Sequence, residues 1–209
     1  MEALKYIAVC LFAYLCGSFN TSIFISKHLY GIDVRNYGSG NAGATNTLRT
    51  LGVKKAFVVL LGDIVKVVVP VLAARWAGIV YPELIAGSFA VIGHSKPIYY
   101  GFKGGKGVAC AVALIGLFDW RILLCLVPVF FGVFFLTKII SLATFSSIIA
   151  LWILVLVFHG GETVPMIYFA VLGIYIFYLH KENIKRLLKG TENRIDLKAK
   201  LLKDTEKKK

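Results

Sequence analysis

Gly93-His94-Ser95-Lys96-Pro97-Ile98-Tyr99-Tyr100-Gly101-Phe102-Lys103-Gly104-Gly105-Lys106-Gly107 is a polar stretch, rich in glycine and lysine, set between apolar runs at residues 82–93 and 108–118. Both runs fall short of the roughly 20 apolar residues that cross a bilayer as a helix. Two short apolar helices around a polar loop describe a site floor dipping into a membrane, where irregular backbone is tolerated if it lines a cavity. Glycines let backbone N–H groups approach a bound group closely, and lysines add positive charge where those groups converge. That combination suits a phosphate.

A second stretch of the same kind, Gly38-Ser39-Gly40-Asn41-Ala42-Gly43-Ala44-Thr45-Asn46-Thr47-Leu48-Arg49, lies upstream between two apolar runs. Ser39, Asn41, Thr45 and Asn46 offer neutral hydrogen bonds, and Arg49 offers a planar fork that matches phosphate geometry. A polar helix cap and turn would use the same residue types. Two such loops in one chain imply two anionic groups held side by side.

The rest of the chain reads as membrane protein. Hydrophobic residues make up 58% of the 209, and mean hydropathy is +0.76, above a soluble globular chain. The apolar runs at residues 4–29, 56–80, 82–93, 108–118, 120–136, 139–158 and 164–179 predict an all-α, polytopic integral membrane protein with seven transmembrane helices. Pro128 predicts a kink in the fifth. The formal charge of +13 invites a nucleic-acid reading, but the cations lie in short loops and the C-terminal tail. Basic loops at 30–55, 95–106 and 137–138, and the tail from Lys181, place the N-terminus outside and the C-terminus in the cytoplasm. Both glycine-rich loops then face the cytoplasm. The expected organisation is one membrane domain over residues 1–192 and a basic cytoplasmic tail over 193–209.

Several chemistries are excluded by spacing. Gly101 is too close to Gly105-Lys106 for a nucleotide-binding P-loop, and Gly107 stands where its hydroxyl residue belongs. No carboxylate pair, no Gly-x-Ser-x-Gly elbow and no His-x-x-x-x-Asp acyltransferase signature lies in these loops. Cys10, Cys16, Cys110 and Cys125 sit in apolar segments with no Cys-x-x-Cys spacing, so neither a disulfide nor a metal site is expected. Asp63 and Lys66 are one helical turn apart and able to pair; charges at that depth face a bundle interior or a wet cavity. His180, Asn183 and Leu187 share a face that would continue the last helix into a site. A transporter or channel for an organic phosphate is the competing class, though the spans show no inverted repeat. A structural protein docking anionic lipid through its basic tail is a further alternative.

Three motifs carry a resemblance to a known family. They are Ser39-Gly40-Asn41-Ala42-Gly43-Ala44-Thr45-Asn46 with Arg49; Gly93-His94, Pro97 and Phe102-Lys103-Gly104-Gly105-Lys106-Gly107-Val108-Ala109; and His180, Asn183-Ile184, Arg186-Leu187, Gly190 and Glu192. In order and spacing they resemble the bacterial glycerol-3-phosphate acyltransferases of the PlsY family. Gly62-Asp63 with Lys66, and Ser141-Leu142, fit the same pattern. Val67, Lys181 and Cys110 depart from it where glycine, arginine and threonine are common.

The resemblance implies transfer of a fatty acyl group from acyl phosphate to the 1-hydroxyl of glycerol 3-phosphate. The products are lysophosphatidic acid and inorganic phosphate, the first step of phospholipid synthesis at the bacterial inner membrane. It implies catalytic roles for Ser39, Arg49, His94, His180 and Asn183. Substrate binding falls to Gly40, Asn41, Thr45, Asn46, Gly93, Lys103, Gly104, Gly105, Lys106, Gly107 and Ser141. Asp63, Lys66 and Glu192 are structural. The expected partners are the two substrates and membrane lipids, with no cofactor, metal or nucleic acid; a monomer is compatible with the sequence. The proton of the attacking hydroxyl passes either to a histidine or to a phosphate oxygen of the donor, and the substrate-assisted route is favoured because no carboxylate is spaced to orient either histidine.

Overall fold

The computed structural model describes residues 2–195; the expected tail therefore lies mostly outside the described residues. They form ten α-helices in two compact units, divided after Phe118, with no strand among them.

The first unit holds α1 (Glu2–Ser18), α2 (Thr21–Tyr30), α3 (Ala44–Leu51), α4 (Val53–Trp76), α5 (Pro82–Ser95) and α6 (Val108–Phe118). Here α1, α4 and α6 pack against α5, and α3 packs against the start of α4. Small residues set the closest crossing: a Cβ on Gly17 would strike the Ala90 backbone, and one on Gly93 would strike the Tyr14 carbonyl. Lipid supplies no hydrophobic drive between helices, so close backbone approach through small residues does the joining. Gly87 likewise admits the Leu114 side chain of α6.

The expected first span at 4–29 is not one straight helix. It breaks at Phe19-Asn20, and α1 and α2 meet at a 40° bend. Asn20 explains the break. Its side-chain oxygen caps α2 by accepting from the Ile23 N–H at 3.0 Å, while its amide donates to the Ala42 carbonyl at 3.1 Å. A residue capping a new helix has non-helical backbone and cannot continue the old one.

The second unit holds α7 (Trp120–Thr137), α8 (Ile140–His159), α9 (Thr163–Leu179) and α10 (Lys181–Leu188). α7 continues as helix through Pro128. α8 packs on both α7 and α9, with Phe145 stacked on Phe177 at 4.7 Å. The expectation that His180 and Asn183 prolong the last helix is corrected: α9 stops at Leu179 and α10 leaves at 64°. At the bend the His180 Nδ1 lies 2.8 Å from the Ile176 carbonyl, which also accepts from the His180 backbone N–H at 3.1 Å.

By length and composition α4, α7 and α8 can each cross a membrane, and counting the bent pairs α1–α2 and α9–α10 as single spans gives five; α6 is shorter but apolar. Charges at several helix ends are paired. Arg75 meets Glu83 in the first unit, and in the second Asp119 caps α7 while binding Arg121 at 2.7 Å and His159 at 3.0 Å. Hydrogen bonds from Arg121 hold the Asp119 carboxyl well below the usual carboxylate range.

Candidate functional site

The two glycine-rich loops meet in the first unit. The upstream loop runs from a short turn at Val34–Asn36 to the N-terminus of α3, and the second feeds the N-terminus of α6 at Val108. Gly43 precedes α3 and offers no side-chain cap, while its carbonyl accepts from the Asn46 and Thr47 N–H groups at 3.1 and 3.0 Å. Helix N-termini entered through glycine are natural receivers of anions. Gly40 and Gly107, at φ +72° and +75°, occupy backbone that side chains disfavour.

Asn46 pegs the upstream loop. It is fully buried; its oxygen accepts from the Ser39 N–H at 2.8 Å, and its amide donates to the Val34 and Tyr37 carbonyls, both at 2.9 Å. Its hydrogen-bonding groups hold loop backbone, a different use from the substrate contact expected of it. Thr47 bonds Ser22 at 2.8 Å, tying α3 to α2. Ser39, Asn41, Thr45 and Arg49 are half-buried on the same segment.

Three contacts join this loop to the second. Tyr100 packs on the buried cluster of Ile23, Val34 and Ala42. Arg35 donates to the Tyr100 carbonyl at 2.9 Å and the Lys103 carbonyl at 3.1 Å while gripping Asp33 at 2.7 Å. A Cβ on Gly105 would strike both the His94 ring and the Ala42 carbonyl, so only glycine lets the strands of loop touch here. Sequence inspection counted Arg35 as one more loop cation. Its bridging role depends on where residues 100 and 103 fold, which spacing along the chain does not reveal. Arg35 holds the Asp33 carboxyl well below its ordinary range, against a smaller opposing effect of burial.

Behind the second loop lies a buried charged cluster. Lys66 Nζ is 2.7 Å from Asp63 Oδ1, 2.7 Å from His94 Nδ1 and 3.2 Å from the Phe19 carbonyl. Cys110 Sγ approaches the Asp63 carbonyl at 3.5 Å. One ligand atom each from Asp63, His94 and Cys110 falls within 4.8 Å of the others, a spacing compatible with a metal ion. The ammonium of Lys66 already bridges two of the three, and a cation of either kind would serve the same charge. Gly104 and Gly105 bond back to the Ser95 and His94 carbonyls at 3.3 and 3.1 Å, so the loop hangs from the end of α5. Lys103 is exposed and Lys106 half-buried.

The second unit carries the remaining expected residues. His180 is buried, its ring edge-on to Phe145 at 5.5 Å. Because Nδ1 faces a carbonyl, it must carry the proton, which leaves Nε2 as the basic nitrogen of the neutral ring. Asn183 donates to Glu192 Oε1 at 2.9 Å, and Arg186 Nε donates to Oε2 at 3.0 Å, so Glu192 clamps α10 to the turn that follows it. Ile195 N–H then reaches the Lys138 carbonyl at 2.8 Å, returning the chain to the α7–α8 turn. Ser141 Oγ is buried with no protein partner among the described residues. A buried hydroxyl of that kind calls for an explanation, and a ligand is one.

Helices of spanning length, with paired glycine loops leading into helix N-termini, describe an integral membrane protein. The profile of a family described as glycerol-3-phosphate acyltransferase matches residues 7–190. The glycerol-3-phosphate acyltransferase of Bacillus subtilis (strain 168) is 38% identical over 88% of this chain and 95% of its own. That of Clostridioides difficile (strain 630) is 41% identical over 95% and 99%. Among solved structures, PlsY, an integral membrane glycerol 3-phosphate acyltransferase, superposes in its glycerol 3-phosphate form with a TM-score of 0.84 at 36% identity, covering 91% of this chain and 96% of that one. Its lysophosphatidic acid form gives a TM-score of 0.82 at 34% identity, covering 94% and 98%. This chain belongs to the glycerol-3-phosphate acyltransferase family.

Proposed function

We propose that the protein transfers a fatty acyl group from acyl phosphate to the 1-hydroxyl of glycerol 3-phosphate, releasing lysophosphatidic acid and inorganic phosphate. The observation that carries this reading is the junction of the two glycine loops, with Gly105 against Ala42 and Arg35 spanning both. Each reactant brings one phosphate, and each loop ends on a helix N-terminus able to receive one. The solved relatives' glycerol 3-phosphate and lysophosphatidic acid forms support the acceptor and product.

An acyl phosphate is already an activated mixed anhydride. The ester C–O bond forms as the anhydride C–O bond breaks, so alignment and charge stabilisation are the main tasks. Arg49, Lys103 and Lys106 neutralise phosphate; Ser39, Gly40, Asn41 and Thr45 with Gly93, Gly104 and Gly107 shape the binding loops. For His180, Asn183 and Ser141 the catalytic and binding roles rest on the family resemblance alone. A phosphate oxygen of the donor accepts the hydroxyl proton and leaves as inorganic phosphate. His180 is the rival acceptor, since its Nε2 is basic in the tautomer that the Ile176 carbonyl selects. A pH–rate profile of His180→Gln separates the two, because only a histidine base takes a limb of the profile with it.

Residues 1–192 are taken as one acyltransferase domain with seven passages through the bacterial inner membrane, the shorter α5 and α6 included. The N-terminus is outside and the glycine loops are cytoplasmic, a placement supported by the basic loops. The test is phosphate release from acyl phosphate by the purified protein, with and without glycerol 3-phosphate. Release that depends on glycerol 3-phosphate and yields lysophosphatidic acid is expected. Its absence, with an active donor and folded protein, overturns the reading.

A further inference from the structure

His94 lies where the two glycine loops meet, yet neither of its ring nitrogens is placed as a simple base. Its Nδ1 is 2.7 Å from Lys66 Nζ and 3.5 Å from Asp63 Oδ1. Charge-assisted N–H···O bonds run at about 2.7–2.9 Å. The lysine meets that length with the carboxylate and contacts the imidazole nitrogen as closely, whereas the direct histidine–aspartate contact is too long. The proton therefore sits on the lysine. The same ammonium also donates to the Phe19 carbonyl at 3.2 Å.

With Nδ1 accepting, a neutral His94 carries its hydrogen on Nε2. That edge borders Gly105, where an added Cβ would strike both His94 Nε2 and the Ala42 carbonyl. The opposite tautomer would turn a nitrogen lone pair toward this carbonyl-lined junction.

We propose that Lys66 is a positioning residue that holds His94 as its neutral Nε2–H tautomer, so that His94 presents a donor, not a base, to the junction of the two glycine loops. The inference rests on the acyl-transfer reading for its kinetic consequences but not for its tautomer. Among the described residues, the titratable groups gathered at the His94 ring are Asp63 and Lys66 of α4 and Cys110 of α6. Without the ammonium, nothing on α4 keeps Nδ1 unprotonated, and the loop suspended from the His94 and Ser95 carbonyls loses a fixed backing. A loop displaced by about 1 Å costs on the order of 100-fold in rate.

The test has two arms. In the first, the protein is labelled with ¹⁵N-histidine in lipid nanodiscs, and the His94 resonances are assigned by their loss in His94→Gln. A ring with its hydrogen on Nε2 and Nδ1 unprotonated is expected. In the paired variant Asp63→Asn with Lys66→Met, which leaves no lone buried charge, His94 should lose this bias and populate both neutral tautomers. A wild-type His94 that is charged at neutral pH, or protonated at Nδ1, overturns the proposal. If the paired variant does not fold, Lys66→Arg serves in its place and should preserve the Nε2–H form.

The second arm is kinetic. Glutamine can place an N–H where Nε2 stood, and asparagine cannot reach that far. His94→Gln is expected to stay within about tenfold of the wild-type kcat/KM for glycerol 3-phosphate, while His94→Asn falls about 100-fold, with the loss mainly in KM. Equal losses in the two overturn it. A wild-type protein that releases no phosphate from acyl phosphate defeats the functional reading and leaves the tautomer arm standing.

Discussion

Replacing Gly105 by alanine isolates the loop junction from backbone strain. Gly105 is not at positive φ, so alanine meets no conformational penalty there. The added methyl would lie on His94 Nε2 and 2.7 Å from the Ala42 carbonyl oxygen, closer than real Cβ atoms approach. Neither neighbour can yield cheaply. The imidazole is held by Lys66 at 2.7 Å, and the Ala42 carbonyl is held by Asn20 at 3.1 Å. The loop itself must shift by several tenths of an ångström to about 1 Å. Overpacking of this kind costs roughly 1–3 kcal/mol of stability, and misalignment by about 1 Å costs on the order of 100-fold in activity. Gly101→Ala is the matched control. It sits at φ +66° with nothing within 4 Å of the new methyl, so it pays about 1 kcal/mol of strain and leaves the junction alone. Phosphate-release kinetics across glycerol 3-phosphate concentrations, with thermal unfolding in the same detergent, measure both. If Gly105→Ala turns over like wild type, or Gly101→Ala is the more damaged of the two, the junction is not part of the site.

Arg35→Ala removes the bonds to the Tyr100 and Lys103 carbonyls and leaves Asp33 with Lys27 and the backbone N–H of residue 35; KM for glycerol 3-phosphate should rise about tenfold or more, measured by initial rates. Asp33 supplies a pH dependence of stability. Its carboxyl titrates lower in the folded protein than unfolded, so its contribution is full above the ordinary carboxylate value of about 3.9 and is lost as pH falls below it. Wild-type melting temperature should therefore drop more steeply than that of Asp33→Asn in acid, and parallel curves would refute the pairing. Glu192→Ala leaves buried Asn183 and half-buried Arg186 without their shared acceptor and should destabilise the end of α10 by about 1–3 kcal/mol, seen as faster proteolysis near Gly190.

Much of this was legible in the order of residues along the chain. Apolar runs of known length locate most helices to within a few residues, because a bilayer demands both length and hydrophobicity whatever the neighbours are. Glycine clustered with lysine or arginine marks the two loops that meet in the first unit for a comparably local reason: the missing Cβ and the fixed charge belong to the residues themselves. Tertiary structure decided what local rules do not carry. Asn20 breaks the first apolar run because its amide finds Ala42 twenty-two residues away. Asn46 and Arg35 become loop fasteners because of the carbonyls folded around them, and His94 and His180 take opposite tautomers because one faces an ammonium and the other a carbonyl. Hydrogen-bond partners are a property of three-dimensional neighbours, and the same side chain donates, accepts or holds still according to which of them arrives.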